Sequence, residues 1–302
     1  MQEPTLVILA AGMGSRFGGL KQITAVDERG HAIIDYSLYD AYRAGFRKVA
    51  FIIKHEIEDD FKAAVGRRME KHFDVQYVFQ QLDRLPDGYA VPDGRVKPWG
   101  TGHAVSCCAG VVDGPFAVIN ADDFSGPSAF TALFDFLSRE RKPGEHAMVA
   151  YELRKTVTEY GHVARGVCRV QDGLLADVEE LTHIEKRGDD AVHVEADGGE
   201  RALSGDLPVS MNCWGFGADM LGELCRRFPA WLDEKLPVDP LGSEYFLPSV
   251  VNALIQERLA TVQVLNCHET WHGVTYPKDL ESVTAHLAAL HAQGLYPDTL
   301  LE

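Results

Sequence analysis

The stretch from Thr5 to Gln22, TLVILAAGMGSRFGGLKQ, constrains this chain more than any other: a buried strand empties directly into a glycine-rich loop carrying two cations. Leu6, Val7, Ile8 and Leu9 form a continuous apolar run, the pattern of a parallel strand covered on both faces. Gly12 and Gly14 follow at once. Lacking Cβ atoms, they let the backbone turn sharply and present bare N–H groups to an anion, while Gly18 and Gly19 keep the loop free of bulk. Arg16 supplies a forked donor and Lys21 a mobile point charge, a pair suited to following a triphosphate from ground state to transition state. Two better-known phosphate loops do not fit. A P-loop closes on Gly-Lys-Ser/Thr, and the dinucleotide fingerprint needs Gly-x-Gly-x-x-Gly, whereas Phe17 stands where that third glycine would fall.

A chain of 302 residues is long for one domain and short for two independent ones. The expectation is a single domain over residues 1–302, one large α/β unit with an appended substructure, its first half at 1–147 and its second half with C-terminal helices at 148–302. Lys and Arg total 29 against 45 Asp and Glu, a net charge of −16. Such a surface repels nucleic acid and anionic membranes, so a phosphate site must be locally basic. The six cysteines contain no Cys-x-x-Cys pair, which points to reduced thiols in a cytoplasm. No targeting segment is visible, and the N-terminal apolar run is too short to span a bilayer.

Apolar runs alternate with helical patterns through the first half, the signature of β-α-β units and a mainly parallel sheet. Helices are expected over 35–44 and 57–65, and strands over 48–53, 75–79 and 116–120. Between Gln81 and Trp99 a loop holding Pro86, Gly88, Pro92, Gly94 and Pro98 has the length of a lid or binding loop. From Met148 the pattern turns antiparallel, with strands over 148–153, 162–170 and 174–179. The polar stretch Lys186 to Leu203 reads as a mobile excursion. Helices near 218–227 and 244–257, a strand over 260–265 and a final helix after Pro277 complete the chain.

Asp122 and Asp123 come directly after the strand ending in Val118 and Ile119, at the carboxyl edge where α/β ligand crevices lie. Two adjacent carboxylates there suit Mg²⁺, which takes one or two protein carboxylates and completes its octahedron with waters and phosphates. A helix cap is the structural alternative. No Gly-x-Ser-x-Gly elbow or His-Glu-x-x-His helix appears, so hydrolase readings lose their footing.

The opening loop closely resembles the signature of nucleotidyltransferases with a GT-A-like fold, the superfamily of sugar-1-phosphate nucleotidylyltransferases and the smaller cytidylyl- and guanylyltransferases. The fold implied is a mainly parallel, mixed Rossmann-like sheet flanked by helices, with an antiparallel acceptor-binding substructure. The resemblance implies that Ala11, Gly12, Gly14 and Ser15 wrap the nucleoside triphosphate, that Arg16 and Lys21 stabilise its phosphates, and that Asp122, with Asp123 second, binds Mg²⁺. Trp99-Gly100-Thr101-Gly102-His103-Ala104 is similar to the family's Gly-Thr-Ala-x-Ala segment, placing Gly100 and Thr101 at the base. Gln80 or Gln81 matches the amide that reads the base edge. Tyr160-Gly161-His162 resembles the sugar-side Tyr-Gly-Val, and Ile184-Glu185-Lys186 the Glu-Lys-Pro segment, where Glu contacts the sugar and Lys the acceptor phosphate; Glu179-Glu180 offers a second alignment. Asn212 falls in the stretch lining the acceptor pocket. Family members place an Asp two residues after a Trp as second metal ligand, whereas Trp271 is followed by His272 and Gly273; a single-carboxylate site, substitution by His272 or Asp279, or a different use of metal are the alternatives.

The activity implied is transfer of NMP from an NTP to a phosphorylated acceptor, a sugar 1-phosphate in preference to a non-sugar phosphate, with release of pyrophosphate. A GT-A glycosyltransferase and a non-catalytic nucleotide-binding protein are the other classes. The partners implied are an NTP and a small phosphorylated molecule, with no nucleic acid and no membrane; base identity and homo-oligomerisation stay open.

Overall fold

The structure, a computed structural model, describes residues 2–12, 24–265, 267, 269–274, 276 and 278–301. It begins with β1 (Thr5–Leu9), α1 (Ile33–Ala44) and β2 (Lys48–Ile53). A broken helical segment follows, α2 (Glu58–Phe61), a π turn at Lys62–Gly66 and α3 (Arg67–Met69), before β3 (Asp74–Phe79). Next come α4 (Thr101–Ser106), β4 (Phe116–Asn120), β5 (Asp123–Phe124), α5 (Pro127–Leu137) and β6 (Glu145–Glu152). The second half adds β7 (Val163–Gln171), β8 (Leu174–Arg187), β9 (Asp190–Val194), β10 (Glu200–Leu203), β11 (Pro208–Phe216) and α6 (Asp219–Lys235). It closes with α7 (Leu247–Gln256), β12 (Thr261–Leu265), β13 (His272–Gly273) and α8 (Asp279–Ala292).

Most strands join one mixed sheet in the order β10-β9-β8-β12-β6-β11-β4-β1-β2-β3, with β7 bridging β11 and β8. The block β4-β1-β2-β3 is parallel throughout. β11 inserts antiparallel between β4 and β6. β1 is covered on both faces as its apolar run requires: Leu6 and Ile8 belong to one core cluster, Val7 to the other. Local chemistry sets the helix ends. The Asp35 carboxylate accepts the Ala32 N–H at 2.8 Å at the start of α1, and Gly45, at φ +120°, stops it; a β-carbon there would strike the Phe134 ring of α5. A third apolar cluster joins α1 to the C-terminal helix through Tyr36, Val283, Leu287 and Tyr296.

Two segments differ from what the sequence suggests. Lys186 to Leu203 is a regular β8-β9-β10 meander, and its polar residues form ion pairs, Arg187 with Glu200 and Arg201 with Glu179 across strands, Arg187 with Glu185 along β8, and Arg201 with Glu195. A strand at a solvated edge needs little apolar content, so composition alone reads it as loop. The 81–99 segment has no regular structure but is anchored along its length. Arg95 is buried, donates to the carbonyls of Pro240 and Ser243, and lies 3.6 Å over the Trp99 ring. Trp99 Nε1 donates to Leu82 O at 2.8 Å and Tyr89 Oη to Asp233 at 2.7 Å.

Candidate active site

β1, β4 and β11 bring their ends to the same edge of the sheet, and there a cavity of about 200 Å³ opens. Its walls include Asn120, Asp122 and Asp123 from the β4 end, Arg165 and Gly166 from β7, Glu180 from β8, Ser210 and Asn212 from β11, and Trp271. Asn120 Nδ2 donates to Asp123 Oδ2 at 2.8 Å, and Asn212 Nδ2 reaches Asn120 Oδ1 at 3.4 Å, so one amide chain runs from β11 to the acidic pair. Asn212 sits at φ +55°, where the pairing of β11 with β6 slips between Ser210 and Trp214. This left-handed backbone turns the amide out of the ladder, and Asn212 Oδ1 is buried without a partner among the described residues.

Arg165 and Glu180 form the opposite wall. On the β7–β8 ladder Gly166 lies opposite Glu180 and Arg165 opposite Leu181; a β-carbon on Gly166 would come 3.3 Å from Glu180 Oε2. Burial pushes the Glu180 carboxyl up to about 7, with Arg165 opposing the rise and Glu244 adding to it. Burial lowers Arg165 to about 10, while Asp123, Glu180, Asp279 and Asp122 hold its charge in place. Arg165 Nε donates to Thr156 O at 3.1 Å, a second nitrogen bonds the same carbonyl, and the third donates to Ala164 O at 2.7 Å.

A second cavity, of about 410 Å³, lies between the end of β2, the end of β3 and the 81–99 segment, with Lys54, Gln80, Gln81 and Trp99 on its walls. The two glutamines differ in availability. Gln80 is buried and its Nε2 donates to Gly100 O at 3.0 Å, 3.3 Å from His103 Nδ1. Gln81 Nε2 is buried without a partner among the described residues.

The chain's match to a family model, described as nucleotidyl transferase, runs over residues 5–186 and so spans β1, the loop, Asp122 and the Glu180 wall. The chain belongs to the nucleotidyl transferase family. Among solved structures it is similar to a UDP-glucose pyrophosphorylase complexed with UDP-glucose, at 18% identity and TM-score 0.58, covering 95% of this chain and 99% of that one. It is also similar to a putative glucose-1-phosphate thymidylyltransferase from Bacillus anthracis in complex with a sucrose, at 15% identity and TM-score 0.60, covering 93% of this chain and 94% of that one. No curated protein matches it. The α/β sheet with its antiparallel insertion agrees with the nucleotidyltransferase fold expected from the sequence. Among the described residues no helix is long and apolar enough to cross a membrane.

Against this nucleotidyl transferase fold the sequence-predicted residues separate. Gly14, Ser15, Arg16 and Lys21 lie outside the described residues. Ala11 is buried just beyond β1, and Gly12 follows it. Asp122, Asp123 and Asn212 meet in the smaller cavity. Gly100 is pressed to Tyr245, whose N–H donates to Trp99 O at 2.6 Å, and Thr101 Oγ1 accepts the Leu247 N–H at 3.0 Å, capping α7. Glu185 and Lys186 are not on the wall: Glu185 pairs with His183 and Arg187, and Lys186 with Glu159 at 2.7 Å. Glu180, the second alignment, is the glutamate that lines the cavity. Gly161 lies outside that wall as well, packed on Tyr276, whose hydroxyl donates to His162 O at 2.8 Å.

The C-terminal residues named as alternatives sit in different surroundings. Gly273 pairs with Asp123 in the β13–β5 ladder; a β-carbon there would lie 2.7 Å from Asp123 Oδ1 and inside the Trp271 ring, so no larger residue fits. Asp279, the first residue of α8, accepts from Thr158 Oγ1 at 2.8 Å and from the Tyr276 N–H at 2.7 Å. His272 stacks on His286 at 3.9 Å, and burial lowers its ring to about 4, so it is neutral near pH 7. Among the described residues no three His, Cys, Asp or Glu side chains are placed to hold a metal ion.

Sequence reasoning missed Arg165. The one signal it carries is a cation that period-two spacing places on the same face as Val163 and Val167.

Proposed function

We propose that this chain is a sugar-1-phosphate nucleotidylyltransferase that transfers NMP from an NTP to a phosphorylated sugar. The observation carrying the reading is the convergence of the Asp122–Asp123 pair with Glu180, Asn120, Ser210 and Asn212 on one cavity at the carboxyl edge of the parallel strands. Amides, a hydroxyl and a carboxyl can bond the hydroxyls of a sugar ring. The two solved structures described above are named as a UDP-glucose pyrophosphorylase and a putative glucose-1-phosphate thymidylyltransferase.

In the reaction an oxygen of the acceptor phosphate attacks the α-phosphorus, the bond from that phosphorus to the β-phosphate oxygen breaks, and pyrophosphate leaves. The chain's contribution is position and charge rather than covalent chemistry. Glu180, Asn212 and Ser210 orient the acceptor ring, and Asn120 fixes the Asp123 carboxylate through its 2.8 Å bond. Arg16 and Lys21 are assigned to the triphosphate and Gln81 to the base. Asp122 and Asp123 are hard oxygen donors of the type Mg²⁺ takes, and two of them suffice when waters and phosphates complete the shell. When bound, Mg²⁺ neutralises phosphate charge as it develops.

The test is incubation with each NTP, Mg²⁺ and a panel of sugar 1-phosphates, reading pyrophosphate release. Release that depends on a sugar 1-phosphate supports the reading. Release only with non-sugar phosphates indicates a cytidylyl- or guanylyltransferase type of acceptor. Transfer from a ready-made nucleotide sugar indicates a glycosyltransferase, and nucleotide binding with no release indicates a regulator.

A further inference from the structure

We propose that Arg165 is the residue that binds the acceptor's phosphate, the task the sequence assigned to Lys186. The inference rests on the nucleotidyltransferase reading above and deepens it. A phosphate monoester entering the smaller cavity meets three carboxylates, Asp122, Asp123 and Glu180, and Arg165 is the one cation on its walls among the described residues. All three carboxylates act on the charge of Arg165, and its guanidinium lies 5.1 Å from the ring of Trp271, another wall residue. Those observations place the guanidinium among the cavity's acidic groups. Lys186, by contrast, is paired with Glu159 and does not line the cavity.

The donor count leaves capacity for a ligand. A guanidinium has five N–H groups. Nε and one N–H on each terminal nitrogen are engaged, all on the backbone carbonyls of Thr156 and Ala164. One N–H on each terminal nitrogen is left, the fork that matches two oxygens of a phosphate. The carbonyl bonds hold the side chain still, so no rotamer freedom is lost on binding. Burial of the charged group is tolerable because the surrounding carboxylates compensate it.

The experiment compares wild type with Arg165→Lys, Arg165→Gln and Lys186→Ala. Calorimetry measures binding of glucose 1-phosphate, of unphosphorylated glucose and of each NTP; pyrophosphate release measures KM for the acceptor and kcat; thermal unfolding monitors the fold. Arg165→Gln is expected to weaken glucose 1-phosphate binding by about ten- to a hundredfold, with NTP binding and glucose binding changed less than twofold. Arg165→Lys should fall between, since it keeps the charge and loses the fork. A purely structural role would weaken all three ligands together. If the Gln variant does not fold, the Lys variant decides: a raised acceptor KM with an intact unfolding transition supports the assignment, and an unchanged one overturns it. The assignment is also overturned if Lys186→Ala carries the acceptor loss instead, or if wild type binds glucose no more weakly than glucose 1-phosphate. Wild type that binds the phosphorylated sugar through Arg165 yet releases no pyrophosphate with any NTP overturns the catalytic reading and leaves the phosphate assignment standing.

Discussion

Glu180→Gln tests how the acceptor wall is built. Burial raises this carboxyl from 4.5 to about 7 despite the attraction of Arg165. A carboxyl whose pKa is higher in the folded chain binds its proton more tightly there, so its contribution is fully present below about pH 4.5 and is lost as pH rises through about 7. At roughly 1.4 kcal/mol per pKa unit, the interval amounts to roughly 3 kcal/mol of stability lost by the wild type. The glutamine keeps the shape and cannot ionise, so its stability should not follow that fall. Asp40, also pushed up to about 7 by burial although the hydrogen bond from Tyr296 opposes the rise, has the same sign but is common to both proteins and cancels in the difference. The assay is denaturant unfolding of both proteins at pH 4.5, 6, 7 and 8. Free-energy differences that stay constant across the series would refute the burial of Glu180 as the cause. A difference that grows in the variant's disfavour with pH would refute the sign.

Three further outcomes follow from the same geometry. Asp122→Asn should cut turnover about a hundredfold or more, the equivalent of about 3 kcal/mol of transition-state stabilisation, and blunt the response to Mg²⁺; a normal Mg²⁺ titration of activity would exclude Asp122 as a metal ligand. Gly273→Ala should destabilise the fold by about 1–3 kcal/mol through the clash with Trp271 and Asp123, so an unfolding transition as high as wild type would show that β13 can yield. Asn212→Gly should leave stability within about 1 kcal/mol, because glycine takes the φ +55° backbone freely, yet raise the acceptor KM by removing the buried amide; an unchanged KM would remove Asn212 from the site.

Much of the parallel half was readable because its signals are local. The strands over 48–53 and 116–120 appear with the bounds the apolar runs suggest, and the 35–44 helix appears as Ile33–Ala44. The second half was less readable because its information is in register. β8 carries two glutamate-containing segments, and the ladder with β7 shifts between Val163 and Arg165, so counting along the strand cannot say which glutamate faces the cavity. Likewise Gln80 and Gln81 are adjacent and chemically identical; only the Gly100 carbonyl, donated to by one of them, distinguishes their tasks.

What the sequence determined by itself was the class of molecule: an apolar strand running into a cation-bearing glycine loop, then a strand ending in paired carboxylates, is a pattern whose physical demands are met within a few residues of chain. What only the tertiary structure decided was which distant side chains share a cavity. Arg165, Glu180 and Asn212 come from three strands that meet at the β4 edge, and Gly273 opposes Asp123 so closely that no side chain fits between them. Contacts of that kind depend on strand order, bulges and pairing offset, which are set by the packing of the whole sheet and leave no mark at any single position.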